Sequence, residues 1–344
     1  MTVCKKISLD EYNILYDQIK MSHTRTFFQS PGWLKLWMKH FGEEKKQQIY
    51  GVFEANELIG LAPFYKENGG INFLGVSLVL SSELVTDFGD VVANVEKEKE
   101  VWKAVLGVIL GTSKARTPES IREKDSGQDG YRTVTRQARM TKVLELNYIR
   151  EDSPSLKILQ ELGGKVEAVD TAPYIDLPHS WEDYLGSLDR HDRHELRRKM
   201  RKLEEEETLR VCHTENVADI DEFLRLMQLS KDQKKEFLSD KMKFFFRDVF
   251  STFFPKKNIQ LCFLKLNGIN IAATFSFISH NQVLLYNSGL DPEYYRLSAG
   301  LILTAFDIKQ AIEEGVKRFD FLRGGERYKF DLGGKERKLY KILL

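Results

Sequence analysis

Cations, a carboxylate and a phenol able to hold or move charge stand among glycine pairs in FDFLRGGERYKFDLGG, residues 319–334. Arg323 and Lys329 are cations, Glu326 is a carboxylate and Tyr328 a phenol, interleaved with Gly324-Gly325 and Gly333-Gly334. Glycine pairs let a backbone turn sharply or come close to another group. An apolar run that ends at Leu322 and breaks into this mixture reads as a strand delivering a charged loop, able to hold an anion and shift a proton. A second candidate lies upstream, in VLLYNSGLDPEYYRLSAGLIL from residue 283. A strand carrying Tyr286 and Asn287 gives way to Asp291-Pro292, and Arg296, Leu297, Ser298, Ala299 and Gly300 lead into a helix. Small residues at a helix start leave backbone N–H groups uncovered, and the positive end of the helix there can receive a phosphate. A third candidate is TDFGD, which sets Asp87 and Asp90 in a turn.

These residues need elements to position them, and the chain supplies the same set twice. IYGVFEANELIGLAPFY, from residue 49, and LCFLKLNGINIAATFSF, from residue 261, are both hairpins, with turns at Ala55-Asn56-Glu57 and Asn267-Gly268. After the first hairpin the pattern predicts strands over 71–80 and 84–92, a helix over 96–110, a strand over 143–149, a helix and another strand. Ser153, Pro154 and Gly163 mark the ends of that last helix. After the second hairpin come a strand over 283–290, a helix over 299–314 closed by Gly315, the strand VKRFDFL and the final strand RKLYKILL. A repeat offset of about 210 residues indicates a duplicated α/β unit, expected as halves 1–178 and 179–344.

Three segments stand outside the repeat. Ser30-Pro31 opens a helix with Trp33, Trp37 and Phe41 on one face, a core stripe. Residues 111–141 are polar, rich in Arg, Ser, Thr and Gly, and lack periodicity, which suits a loosely held insertion. Between the halves, LDRHDRHELRRKMRKLEEEE reads as a helix capped by Asp189, with Leu185, Leu188, Leu196, Met200 and Leu203 inward. Its Arg193, Arg197 and Arg198 suit either a phosphate contact or ordinary pairing along a solvated face. His191 and His194 have no third ligand at usable spacing, so no metal is expected.

The totals exclude several classes. Net charge is +1 over 344 residues, without the basic field of a DNA-binding protein. Cys4, Cys212 and Cys262 show no CxxC spacing, which argues against a disulfide framework and a cysteine zinc site and favours a reducing compartment. No apolar run approaches the ~18 residues of a membrane span, and the first twenty residues lack an apolar signal core. A cytoplasmic protein is expected.

With YNSGLDPEYYRLSAGLIL leading to FDFLRGGERYK, and FFQSPGWLKLW and SSELVTDFGD upstream, the chain resembles the CelD-like acetyltransferases of the GNAT (acyl-CoA N-acyltransferase) superfamily. A tandem GNAT arrangement is also that of the FemABX peptidoglycan aminoacyltransferases. The resemblance implies two GNAT-like α/β domains with mixed sheets, and acyl transfer from acetyl-CoA or another acyl-CoA, without metal, to a small-molecule, carbohydrate or cell-wall precursor. In such a fold the strands beside the helix splay to admit the pantetheine arm. Arg296, Leu297, Ser298, Ala299 and Gly300, with Arg323, would hold the donor's phosphates, although Tyr295 and Ser298 depart from the usual (Q/R)xxGx(G/A) loop. Lys329 would face the oxyanion, Asp87, Asp90 or Glu326 would take the acceptor's proton, and Tyr328 would give one to the thiolate. Asp90, Tyr286 and Asn287 would contact the acceptor. Transfer from aminoacyl-tRNA, and sugar or peptide binding without turnover, are the alternatives.

Overall fold

The computed structural model describes residues 1–43, 45–76, 85–111, 143–205, 208–230 and 236–344. The expected insertion and residues 77–84 therefore lie almost wholly outside the described residues. The strands begin with β1 (Thr2–Ile7), β2 (Lys46–Glu54), β3 (Glu57–Glu67), β4 (Gly70–Phe73), β5 (Val92–Ala93), β6 (Val143–Arg150) and β7 (Lys165–Thr171). Next come β8 (Tyr174–Asp176), β9 (Leu209–His213), β10 (Ile259–Leu266), β11 (Ile269–Ser279), β12 (Gln282–Leu290), β13 (Arg318–Asp320) and β14 (Lys338–Leu343).

They form two sheets with one plan. The first runs β1-β2-β3-β4-β6-β14-β7, with β5 beside β3, and the second β9-β10-β11-β12-β13-β8. In each, three antiparallel steps lead to one parallel step, β4 to β6 or β12 to β13, and then an antiparallel neighbour. That last neighbour comes from the other half. β14 enters the first sheet between β6 and β7, and β8 pairs with β13 in the second. Both repeat hairpins turn through two left-handed residues, Ala55 (φ 50°) and Asn56 (φ 69°), or Asn267 (φ 51°) and Gly268 (φ 80°). Such turns match the twist of the strands they join.

In each sheet a helix lies in the connection between the two parallel strands. Glu98–Ile109 buries Val101, Trp102, Val105 and Ile109, and Ala299–Glu313 buries Ile302, Leu303, Ala305 and Ile308. The largest core is shared by both halves. Trp33 and Trp37, on the Pro31–Phe41 helix, and Phe27 and Phe28 pack with Phe245, Phe246, Phe275 and Phe277. A capping Ser30 and Pro31 start that helix, and its aromatic face is fully enclosed.

Some expectations change. The strand expected over 71–80 stops at Phe73, and residues 85–91 run as irregular backbone rather than as a strand. The strand expected from Val316 to Leu322 shrinks to three residues, because its last paired rung is Asp320 with Leu284. Helical structure around 190 breaks at Leu188, separating Trp181–Ser187 from Arg190–Glu205, whose start the Asp189 side chain caps through the Asp192 N–H (2.9 Å).

Candidate active site

The parallel pair β12/β13 parts after Leu284–Asp320, while β12 continues to Leu290. A bulge in β12, where Phe275 pairs Asn287 but Ser276 pairs Leu285, turns Tyr286 out of the ladder just beyond the split. Leu322 then adopts a left-handed conformation (φ 56°) and steers the chain away. The split opens a pocket of about 220 Å³. Asp87, Tyr286, Asn287, Arg323, Glu326, Tyr328 and Lys329 line it, beside Phe237, Ser288 and Phe321. Seven residues singled out by type and spacing thus share one cavity, although Asp87 is more than two hundred residues from the rest of the charged set.

Residues 85–91 deliver Asp87. Trp33 Nε1 donates to Thr86 Oγ1 (2.9 Å), Tyr286 Oη to the Val85 carbonyl (2.8 Å), and Gly89 N to the Tyr148 carbonyl (3.1 Å). The hydroxyls of Ser153 (2.5 Å) and Ser155 (2.6 Å) donate to the Asp90 carboxylate. Burial nevertheless pushes the Asp90 carboxyl up to about 6. Asp90 does not line the pocket, and its bonds make it an anchor of the segment.

The Asp87 carboxylate accepts from Arg323 Nε (3.1 Å), and the guanidinium lies 4.6 Å from the Tyr148 ring. Burial raises the Asp87 carboxyl above the usual range, with Arg323 and Lys329 opposing the shift. A carboxylate of this kind is a stronger base than a solvated one. Lys329 is 3% exposed, and its Nζ donates to the carbonyls of Arg323 (2.8 Å) and Gly324 (3.0 Å) and to Glu326 (2.9 Å). An ammonium carries three N–H groups, so these partners occupy them all. Lys329 therefore holds the 322–326 turn in shape, including Gly324 at φ 107°. The segment read as a loop contains one short helix, Arg327–Asp331, begun at Glu326. It brings Tyr328 inward, where burial raises the phenol well above its ordinary value and keeps it a neutral donor.

The 296–300 residues do not line this pocket. Arg296 and Leu297 end a 3₁₀ turn, Ser298 is left-handed (φ 54°) and its side chain caps nothing, and Ala299 is buried. A Cβ placed on Gly300 would meet no atom within 4 Å, so the helix start faces open space. On the basic helix, Arg197 pairs with Glu182 (2.8 Å) and Arg198 with Glu195 (2.9 Å), the ordinary pairing of an exposed face. Among the described residues no group of His, Cys, Asp and Glu is arranged to hold a metal, and no helix is long and apolar enough to cross a membrane.

The sequence did not reveal Phe237, Ser288 or Phe321 as pocket walls. Phe321 follows from the strand's alternation with Leu322, but Phe237 sits in a stretch without periodicity.

Residues 190–330 match the acetyltransferase (GNAT) domain family. No curated protein matches the chain. Among solved structures, FemX aligns at a TM-score of 0.62 and 11% identity, covering 98% of this chain and 96% of its own. The C-terminal domain of a putative lysylphosphatidylglycerol synthetase from Agrobacterium fabrum aligns at 0.55 and 11%, covering 98% and 92%. A tandem GNAT protein from the clavulanic acid biosynthesis pathway aligns at 0.51 and 10%, covering 99% and 98%. The chain has the mixed α/β fold of tandem GNAT-like proteins, and its residues 190–330 match an acetyltransferase (GNAT) domain.

Proposed function

We propose that the chain is an acyltransferase that moves an acyl group, acetyl in the simplest case, from acyl-CoA to an amine or hydroxyl of a sugar or cell-wall-type acceptor. One observation carries this reading: a carboxylate from the first half, Asp87, meets Arg323, Tyr328 and Lys329 of the second at the mouth of the parted strands. Asp87 takes the acceptor's proton as its nitrogen or oxygen attacks the thioester carbon. The C–S bond breaks and the thiolate leaves. Tyr328, kept neutral by burial, donates a hydrogen bond to the developing oxyanion or the departing sulfur. Lys329 adds positive charge at short range, while its N–H groups keep the turn rigid. The open start of helix 299–313, from Arg296 to Gly300, receives the donor's pyrophosphate.

A second reading, transfer of an aminoacyl group from charged tRNA, has the likeness to FemX and the basic face of helix 190–205 in its favour. Calorimetry with acetyl-CoA, longer acyl-CoAs and free CoA separates the two. Micromolar binding to the wild type that Gly300→Trp weakens at least tenfold, with the unfolding temperature unchanged, supports the acyl-CoA reading. Undiminished binding to Gly300→Trp removes the phosphate loop from it. If no CoA species binds, the tRNA reading gains.

A further inference from the structure

We propose that a second, smaller pocket on the other side of the 85–91 segment is an anion site, sized for one halide ion, that joins the two halves. The pocket measures about 30 Å³ and is walled by Arg25, Phe88 and Arg150 from the first half and His280, Gln282 and Asp320 from the second. Asp320 belongs to the last paired rung of β12 and β13, so the site lies behind the point where these strands part.

Charge singles this pocket out. Arg25 has no carboxylate within ion-pairing distance among the described residues. Its Nη2 donates to the carbonyls of Ile19 and Tyr16, its guanidinium lies 4.6 Å from the Tyr16 ring, and its Nε is closed off from solvent with no protein acceptor. Arg150 is only 12% exposed, and its carboxylate neighbour, Asp152 at 3.7 Å, is shared with Arg318 (3.5 Å) and Arg337 (3.7 Å). Desolvation holds the Arg150 guanidinium below its ordinary value. Asp320 in the pocket wall is already engaged, accepting from Arg337 Nη2 (2.7 Å) and Leu322 N (2.9 Å).

In the pocket wall itself two guanidiniums, Arg25 and Arg150, meet one carboxylate, Asp320, which Arg337 already engages; behind the wall, Asp152 and Asp90 lie on the Arg150 side. Arg25 is the wall cation that no carboxylate pairs among the described residues, and its Nε is enclosed at the cavity. Desolvated cations demand a counter-charge. His280 adds no second cation, because burial and the neighbouring Arg25 lower its imidazole below the ordinary value. A space of this size accepts a halide-sized ion and excludes a phosphate. The same segment presents Asp87 to the larger pocket and Phe88 to this one. An anion here therefore stiffens the peptide that aims Asp87.

Anomalous diffraction from bromide-soaked crystals tests the site directly, alongside thermal unfolding in sodium chloride or bromide against sodium gluconate at equal ionic strength. The expected result is an anomalous peak between Arg25 and Arg150 and a saturable rise of about 2–4 °C in the halides alone. Arg25→Gln should abolish the halide-specific rise. If that variant fails to fold, Gln282→Leu, which removes an uncharged donor from the same wall, should weaken the halide dependence. A wild-type map without the peak, or equal unfolding temperatures in halide and gluconate, overturns the proposal.

Discussion

The two sheets share a strand plan, yet one split is closed and the other is open. In the first sheet, β4 and β6 part after Ile71–Leu144, and residues 85–91 fill the space between them. Gly89 sits so deep that an added Cβ would come within 2.4 Å of the Phe73 ring and 2.7 Å of the Asn147 carbonyl. In the second sheet, no described residue fills the matching position, and the pocket lined by Asp87, Arg323 and Tyr328 lies there. The difference shows how a duplicated fold divides its labour. One copy closes its own gap, and the closing segment places Asp87 in the pocket wall of its twin. The helices differ in the same direction. Helix 98–109 has its buried carboxyl, Glu98, at its first residue and packs Val101, Trp102 and Val105 on its sheet, whereas helix 299–313 buries a carboxyl, Asp307, in its middle.

Asp87→Asn tests the division most severely. It preserves shape while removing the base, so acyl transfer should fall by about 10²–10⁴-fold with donor affinity retained. Steady-state kinetics and calorimetry measure the two, and an unchanged rate would place the base elsewhere. For the wild type, kcat/KM should rise with pH through the raised Asp87 ionisation, since only the carboxylate accepts a proton.

Asp307→Asn addresses the unequal helices. Burial pushes the Asp307 carboxyl up to about 7, against an ordinary value near 4. The native state therefore binds the proton more tightly than the unfolded chain does. The stability this gives is complete below about pH 4 and is lost as pH rises through 7. Urea unfolding should show the wild type weakening from pH 5 to pH 8. The variant should not follow it, and at pH 8 should be the more stable by roughly 2–4 kcal/mol. Parallel pH profiles would refute the buried ionisation.

Glycine replacements give the smaller effects. Gly89→Ala forces a methyl into the closed split and should cost about 1–3 kcal/mol in urea unfolding. It should also lower turnover by displacing Asp87. Gly300→Ala, at the open helix start, should change stability by less than about 1 kcal/mol, toward greater stability. If the two glycines responded alike, the contrast between closed and open splits would fail.

Local chemistry made much of this legible. Hairpin turns, the Ser30 and Ser153 caps and the Trp33–Trp37 stripe follow from neighbours in sequence, and the repeat followed from comparing such signals. The mixed residues of 323–329 stood out because apolar strands seldom end in four different polar groups. What stayed hidden depends on distance. Nothing near Lys329 announces that three carbonyl and carboxylate partners will enclose it, since they converge only after Leu322 and Gly324 adopt left-handed backbones. Asp90 and Asp87 are alike in sequence, and the serines that anchor only Asp90 lie more than sixty residues away. β14 has the same pattern as any half-buried strand, so its place in the other half's sheet left no trace.

That exchange of β8 and β14 acts as a ratchet on the history of the molecule. Since neither copy completes its own sheet, neither can be discarded without exposing an edge in the survivor. A copy whose split is filled would be expendable in a simple string of two domains. Here its partner's sheet depends on its strand β8, which leaves its surface and its closing segment free to diverge while the fold holds.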